Sequence, residues 1–357
     1  MTKNTGKKWF RMRERIAVGM SGGVDSSVAA MLLRDAGCNV VGITLSLTPD
    51  CTDMDADDAR RVAEHLGIEH HVVDLRDMFR TQVIEPFCNS YVNGETPNPC
   101  VICNQTIKFG AMLDYARTLG ASRIATGHYA RTESRDGRTF LLRAQSRKDQ
   151  SYFLCRLRQE QLASAVFPVA GYEKDALRAL AEKAGLPVAH KKDSQDVCFI
   201  PDNDYVSFLC RAYGVTPQEG DFVDTQGNVL GRHQGIVRYT VGQRKGLGAF
   251  GKPMFVTSID PLHNRVVLGE DGKQYAAGLT ADSLNWISFD MPPESFRCEA
   301  RIRFRAAPAP ATVQIIGDAA HVLFDEPQRS VTPGQTVAFY DGDVVLGGGT
   351  IRSALEV

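Results

Sequence analysis

Long apolar runs are missing from this 357-residue chain: none approaches the roughly 20 residues a membrane helix requires. The basic start MTKNTGKKWFRMRER is followed by no apolar stretch of the secretory kind. A cytoplasmic protein with no membrane partner is the expectation. Net charge is nearly absent too, at -1 with 41 Lys and Arg against 42 Asp and Glu, so any nucleic-acid contact must come from local clusters. No internal repeat or low-complexity tract is present, which excludes solenoids and arrays. Nine cysteines, an odd number without a secretory signal, exclude a disulfide framework and leave thiols for metal or catalytic use. One C-x-x-C pair, Cys100 and Cys103, has no second pair at a suitable spacing, so a structural zinc site would lack half its ligands.

What is present is an alternation of periods in a chain long enough for two or three domains. Apolar runs at Ile16 to Met20 and Val40 to Leu47 flank a helical pattern from Ser26 to Ala36. Further helical patterns run from Asp55 to Leu66, Asn104 to Leu119 and Lys174 to Ala184, with strand-like HHVVDL and Arg123 to Thr126 between them. This predicts an α/β fold, a doubly wound parallel sheet that binds ligands at the carboxyl ends of its strands. Beyond Gly214 short alternating runs such as HNRVVLGEDG and PGQTVAFYDGDVVLGGGTI take over, the pattern of small antiparallel, barrel-like β domains.

Between the first strand and helix stands GMSGGVDSS. Ser21, Gly22, Gly23 and the amides leading into Ser26 then sit at a helix N-terminus, where unpaired N–H groups and the helix dipole favour phosphate. A Walker-type lysine is absent. The loop resembles the S-G-G-x-D-S pyrophosphatase (PP-loop) type, found in enzymes that split ATP between its α and β phosphates. Such loops hold the departing pyrophosphate while a substrate oxygen attacks the α phosphorus, and the resulting adenylate leaves as AMP. The bland reading is a Gly-rich turn that only starts a helix.

The segment YVNGETPNPCVICNQTIKF brings Pro97 and Pro99 in extended form to Cys100 and Cys103, ahead of a helix expected near Asn104. A helix N-terminus and Lys108 would lower a thiol pKa, which makes Cys103 a candidate nucleophile. Cys198 lies in KKDSQDVCFIPDNDY, where Asp193 and Asp196 oppose a thiolate and Lys191 and Lys192 favour one. Cys100, Cys103 and Cys198 are also candidate ligands of an iron-sulfur cluster. The other cysteines, Cys38, Cys51, Cys88, Cys155, Cys210 and Cys298, read as small buried hydrophobes. Arg143, Arg147 and Lys148 stand near Tyr152 and Phe153, and Arg301, Arg303 and Arg305 alternate as if along one strand face. Guanidinium groups grip phosphates and aromatics stack on unpaired bases, although any one such cluster can be plain solvated surface. His128 reads equally well as a satisfied core imidazole.

With SGGVDSS, TPNPCVICNQTIKFG, ATGHYAR, KDQSYFL, KKDSQDVCFI, YTVGQRKGLG and VTPGQ in order, the chain resembles the tRNA-specific 2-thiouridylase family (MnmA/TrmU) from about Arg15 onward. Residues 1–14, basic and without periodicity, read as a flexible tail, and the resemblance implies a PP-loop catalytic domain at 15–203, a small central domain at 204–275 and a C-terminal β-barrel at 276–357. It implies ATP with Mg2+, adenylation at C2 of the wobble uridine in tRNAs for Glu, Gln and Lys, and replacement of that oxygen by sulfur from a cysteine desulfurase or a sulfur-relay protein. Carried over by motif, Gly19, Met20, Ser21, Gly22, Gly23, Val24, Asp25 and Ser26 contact ATP, with Leu45, where Met is usual, and Gly127. Cys198 would carry a persulfide and Cys103 would release its sulfur by forming a disulfide. Asn98, Pro99 and Cys100 would meet the target base, while Lys148, Asp149, Gln150, Arg303, Phe304, His128 and Gln335 would contact tRNA. Cys100 stands where many relatives have an acid-base Asp, so that role does not transfer, and the third thiolate adds weight to a [4Fe-4S] route beside the persulfide route. Two competing readings are a small-molecule adenylating enzyme, which leaves the three thiols idle, and a non-catalytic RNA-binding or iron-sulfur carrier, which leaves the intact phosphate loop idle.

Overall fold

The computed structural model describes residues 14–48, 53–192, 197–200 and 202–356. Most of the tail expected at 1–14, along with Cys51, Asp193 and Asp196, lies outside the described residues. The chain forms two compact units: described residues up to 79, 104–151 and 159–192 make the first, and 80–103, 152–158 and those from 197 onward make the second.

The first unit is built on the parallel sheet that the alternation predicts. Its strands run in the order Glu69–Asp74, Asn39–Ser46 (β2), Arg15–Gly19 (β1), Arg123–Ala125 and Ala165–Val166, every pair parallel. Ile16, Ala17 and Val18 are consecutive in β1 and fully buried, so both faces of the strand are covered, as parallel strands require. The helix after β1, Val24–Asp35 (α1), contributes Val28, Ala29 and Leu33 to a core shared with Val62 and Ala63 of Asp53–Leu66 and with Leu177 and Ala181 of Lys174–Lys183. A hairpin, Ala130–Arg135 with Arg138–Arg143, is closed by Asp136 and Gly137, both at positive φ. That is the backbone a tight two-residue hairpin turn demands, and Asp-Gly supplies it.

The second unit contains the helices Glu85–Val92, Pro99–Cys103 and Tyr205–Tyr213 with two β systems. One is a four-stranded sheet of Gly220–Val223, Val229–His233, Met254–Asp260 and Arg265–Glu270. It departs from the antiparallel expectation at one place, where Arg265–Val267 pairs in parallel with Asp221–Val223. The other has six antiparallel strands, Tyr275–Trp286, Ser295–Arg301, Ala309–Ile316, Ala319–Arg329, Thr336–Asp341 and Val344–Leu355. Its first and last strands also pair, which closes a barrel around Leu279, Val313, Val322, Val337 and Phe339. No helix among the described residues is long and apolar enough to cross a membrane.

Candidate active site

β1 ends at Gly19 and α1 begins at Val24, so Met20, Ser21, Gly22 and Gly23 make the turn at the carboxyl edge of the sheet. Gly22 has φ +67°, a left-handed conformation that glycine adopts without strain. Gly23 is the extended N-cap of α1 and offers no side-chain cap, leaving the first-turn amides to the dipole end that attracts phosphate. Hydroxyls brace this turn. Ser26 Oγ donates to the Gly23 carbonyl at 3.1 Å and accepts from the Ser21 amide at 3.2 Å, while Ser27 Oγ donates to the same carbonyl at 2.8 Å. From β2, Thr44 Oγ1 donates to the Met20 carbonyl at 2.7 Å, and Leu45 follows it, half-buried at the strand end. Gly127 packs so tightly behind α1 that a Cβ there would lie 2.8 Å from the Asp25 carbonyl carbon and from the Ser26 nitrogen. The ATP residues expected from the sequence in 19–26 thus meet Gly127 at one edge of this unit.

Two residues that sequence reasoning did not select complete the loop. Tyr129, 1% exposed, donates its hydroxyl to Asp25 Oδ1 at 2.9 Å, and Lys174 Nζ lies 2.8 Å from the same oxygen. Lys174 is the first residue of its helix, where the dipole disfavours a cation. That misfit was the available signal for a fixed anionic partner. Next to Tyr129, His128 pairs through Nδ1 with Thr126 Oγ1 at 2.7 Å and sits by Phe109 and Phe167 with ring centroids 6.1 Å and 6.4 Å away. Burial, with a smaller contribution from the positive charge of Lys108, holds its pKa well below the ordinary imidazole value. Gln150 brackets Tyr129, donating its amide to the Tyr129 carbonyl and accepting the Tyr129 amide at its side-chain oxygen. Asp149 accepts the amides of Ala144 and Ser151, so these two residues shape their loop, whereas Lys148 is exposed.

In the second unit the thiol-bearing helix begins at Pro99, five residues earlier than expected. Proline at the first helical position loses no hydrogen bond, and its fixed φ starts the turn. Cys100, half-buried, therefore lies in the first turn, while Cys103, 6% exposed, lies one turn further along and not at an N-terminus, with helical backbone running on through Asn104–Ala111 and Met112–Thr118. The extended approach is held throughout. The Thr96 amide donates to the Pro333 carbonyl at 2.9 Å, Gln335 Nε2 donates to the carbonyls of Thr96 at 2.8 Å and Pro97 at 3.3 Å, and the Asn98 side chain hydrogen-bonds Tyr152. Cys198 is exposed in a short turn whose next residue, Phe199, is buried edge-on to Phe87 at 5.2 Å. Among the described residues no three His, Cys, Asp or Glu side chains are grouped to hold a metal ion.

Two expectations about the basic clusters fail. Arg301 ends its strand, so Arg303 and Arg305 lie in the following turn and share no strand face with it. Arg301 and Arg303 spend their guanidinium groups on the protein's own carbonyls: Arg301 donates to Phe304 and Ala306, Arg303 to Val241 and also to the Thr332 hydroxyl. Tyr152 is fully buried, its hydroxyl donating to the Thr336 carbonyl at 2.8 Å, and cannot stack on a base. Phe153 and Phe304 remain half-buried, 4.4 Å apart. Cys38, Cys88 and Cys155 are buried as expected, and burial pushes Cys88 up to about 11 and Cys155 up to about 12. Cys210 and Cys298 are only half-buried.

Family models match along nearly the whole chain: a tRNA methyl transferase HUP domain over 14–202, a tRNA methyl transferase PRC-barrel domain over 207–270 and an aminomethyltransferase β-barrel domain over 276–351. The tRNA-specific 2-thiouridylase MnmA of Clostridioides difficile is 45% identical over 359 residues, covering 96% of this chain and 99% of that protein. The protein of the same name from Desulfitobacterium hafniense is 47% identical over 363 residues, covering 95% and 98%. That of Clostridium acetobutylicum is 45% identical over 355 residues, covering 96% of this chain and all of its own length. With identity of this order over essentially full length on both sides, the chain belongs to the tRNA-specific 2-thiouridylase (MnmA/TrmU) family.

Proposed function

We infer that the chain is a tRNA sulfurtransferase that uses ATP to replace the C2 oxygen of the wobble uridine with sulfur. Sulfur transfer to give 2-thiouridine is the activity named for its full-length relatives. The observation that carries ATP use is the two-glycine turn leading into the uncapped start of α1, with no lysine of the Walker kind. In this reading the turn holds the β and γ phosphates of Mg2+-bound ATP. The uridine O2 attacks the α phosphorus, pyrophosphate departs, and C2 carries AMP as its leaving group. A persulfide on Cys198, loaded by a cysteine desulfurase or a sulfur-relay protein, attacks C2 through its outer sulfur and expels AMP. Cys103 then attacks the inner sulfur: the S–S bond breaks toward the transferred sulfur, which stays on C2, and a Cys103–Cys198 disulfide forms. An external dithiol resets the pair.

An exposed Cys198 can be loaded by a second protein, and a buried Cys103 is kept from premature oxidation. A [4Fe-4S] cluster would supply an iron site able to take up sulfide. Cys100, Cys103 and Cys198 do not form a ligand group in the described arrangement, so the persulfide route takes precedence and no step is routed through a cluster. The substrates are the anticodon arms of tRNAs for Glu, Gln and Lys, with Asn98, Pro99 and Cys100 near the target base and Lys148, Phe304 and His128 at the RNA. The catalytic PP-loop domain at 15–203, the central domain at 204–275 and the barrel at 276–357 work together in the cytoplasm. Nucleoside mass spectrometry of tRNA from a deletion strain tests the reading: 2-thiolated wobble uridine disappears and returns with the wild-type gene. Unchanged 2-thiouridine would refute it.

A further inference from the structure

The family resemblance assigns Gln335 to tRNA recognition, yet its side-chain amide donates to two main-chain carbonyls of the protein, Thr96 and Pro97. Those carbonyls belong to the four-residue approach that ends where the thiol-bearing helix starts, at Pro99. We propose that Gln335 is a positioning residue: the barrel turn Thr332–Gln335 is a clamp that fixes the helix carrying Cys100 and Cys103. This rests on the reading of Cys103 as the sulfur-releasing thiol.

Each residue of the approach has a partner on or tied to the barrel. Glu95 pairs with Arg352 at 3.3 Å, and Thr96 is held at both main-chain atoms, its amide by the Pro333 carbonyl and its carbonyl by Gln335. Asn98 hydrogen-bonds Tyr152, whose hydroxyl is itself bound to the Thr336 carbonyl. The clamp is rigid on its own side. The Gly334 amide donates to the Ile351 carbonyl at 2.8 Å, and the Ile351 amide donates to the Gln335 carbonyl at 2.8 Å, which ties the turn to the last barrel strand. Gly334 is at φ +86°, and a Cβ there would stand 2.9 Å from Glu95 Cβ and 3.0 Å from the Thr96 nitrogen, so the turn and the approach touch without slack. Beyond the clamp Pro97 and Pro99 remove two φ rotations, so a shift of Thr96 passes into the helix instead of being absorbed. A glutamine is suited to this task because its two N–H groups can serve two successive carbonyls while carrying no charge.

The test uses the full-length protein with Gln335→Met, which removes the donors at similar size, and Gly334→Ala, which pushes on the same segment through different atoms. Alkylation of Cys103 by iodoacetamide, read by peptide mass spectrometry without tRNA, should become roughly fivefold faster in both as the helix loosens. Single-turnover thiolation should fall about tenfold or more, since sub-ångström misplacement of a reacting group is costly. The dissociation constant for tRNA should stay within about twofold in both. Wild-type alkylation in Gln335→Met with weakened tRNA binding would overturn the clamp and make Gln335 an RNA contact, and that variant decides the matter should Gly334→Ala not fold. Full thiolation by Cys103→Ser would instead sink the role of Cys103, while the alkylation readout would still report on the clamp.

Discussion

Lys174 Nζ lies 2.8 Å from Asp25 Oδ1, and the Tyr129 hydroxyl donates to the same oxygen at 2.9 Å. If α1 receives phosphate as proposed above, a carboxylate in its first turn repels that anion. The lysine, with only 11% of its side chain exposed, neutralises that carboxylate, and the tyrosine fixes its direction. Lys174→Met should leave Asp25 uncompensated and lower kcat/KM for ATP by roughly ten- to a hundredfold. Lys174→Arg should recover part of the loss, and Tyr129→Phe, which removes one hydrogen bond, should cost only about fivefold. AMP formation at saturating tRNA measures all three, and wild-type rates in Lys174→Met would remove the lysine from the nucleotide site.

Gly127→Ala tests the close approach behind α1. Its Cβ would meet main-chain atoms of Asp25 and Ser26 at 2.8 Å, where no flexible side chain can swing away. The phosphate loop must then shift. A loss of about 1–3 kcal/mol in stability is expected from the overpacking. ATP affinity should fall as well, by at least about tenfold. Urea titration and isothermal calorimetry read the two effects separately, and an alanine variant that binds ATP normally would show that the loop tolerates the displacement.

The first unit is legible because its signals are local: buried strands read as continuous apolar runs, and GMSGGVDSS marks the strand-to-helix turn within nine residues. The lysine and tyrosine on Asp25 were not legible by spacing, since they lie 149 and 104 residues away and only the fold unites them. A proline-based start misplaced the thiol helix. The sequence pattern puts Pro99 at the end of an extended approach, although a proline opens a helix as readily as it ends one. Arg301, Arg303 and Arg305 alternate as a strand would, but the strand stops at Arg301, whose guanidinium group binds the following turn at Phe304 and Ala306, while that of Arg303 binds Val241 and Thr332. Alternation over three residues cannot tell a strand end from a strand middle.

His128 should impose a pH dependence on stability. Its folded pKa lies well below the ordinary 6.5, so between those two values the unfolded chain binds more protons than the folded one. Stability is therefore full above pH 6.5 and declines as pH falls toward the folded value, at up to about 1.4 kcal/mol per pH unit from this group. His70 and His233 are shifted the same way and add to the slope. Replacing His128 by Gln removes one titrating group, so urea midpoints taken from pH 7.5 down to 5 should show a shallower decline than in the wild type. Parallel declines would mean that His128 carries its proton in the folded protein.

Cys198 and Cys103 are asked to act after ATP has been consumed, which separates them experimentally from the phosphate loop. Cys198→Ser cannot hold a persulfide, so thiolation should drop to background while AMP and pyrophosphate still form from ATP and tRNA. Cys103→Ser keeps the persulfide but cannot open it, so one sulfur should stay trapped as a Cys198–S–S–C2 adduct, visible as a cross-link of protein to RNA that a small thiol releases. Cys88 and Cys155, pushed up to about 11 and about 12 by burial, serve as controls whose alanine variants should leave sulfur transfer unchanged at matched folded concentration. Cys100→Ala separates the two delivery routes: with a persulfide donor present it should lower thiolation by less than about threefold, because no sulfur bond passes through it. Abolition by Cys100→Ala, together with iron and sulfide retained after anaerobic reconstitution of the wild type, would transfer the chemistry from the persulfide to a cluster held by all three thiolates.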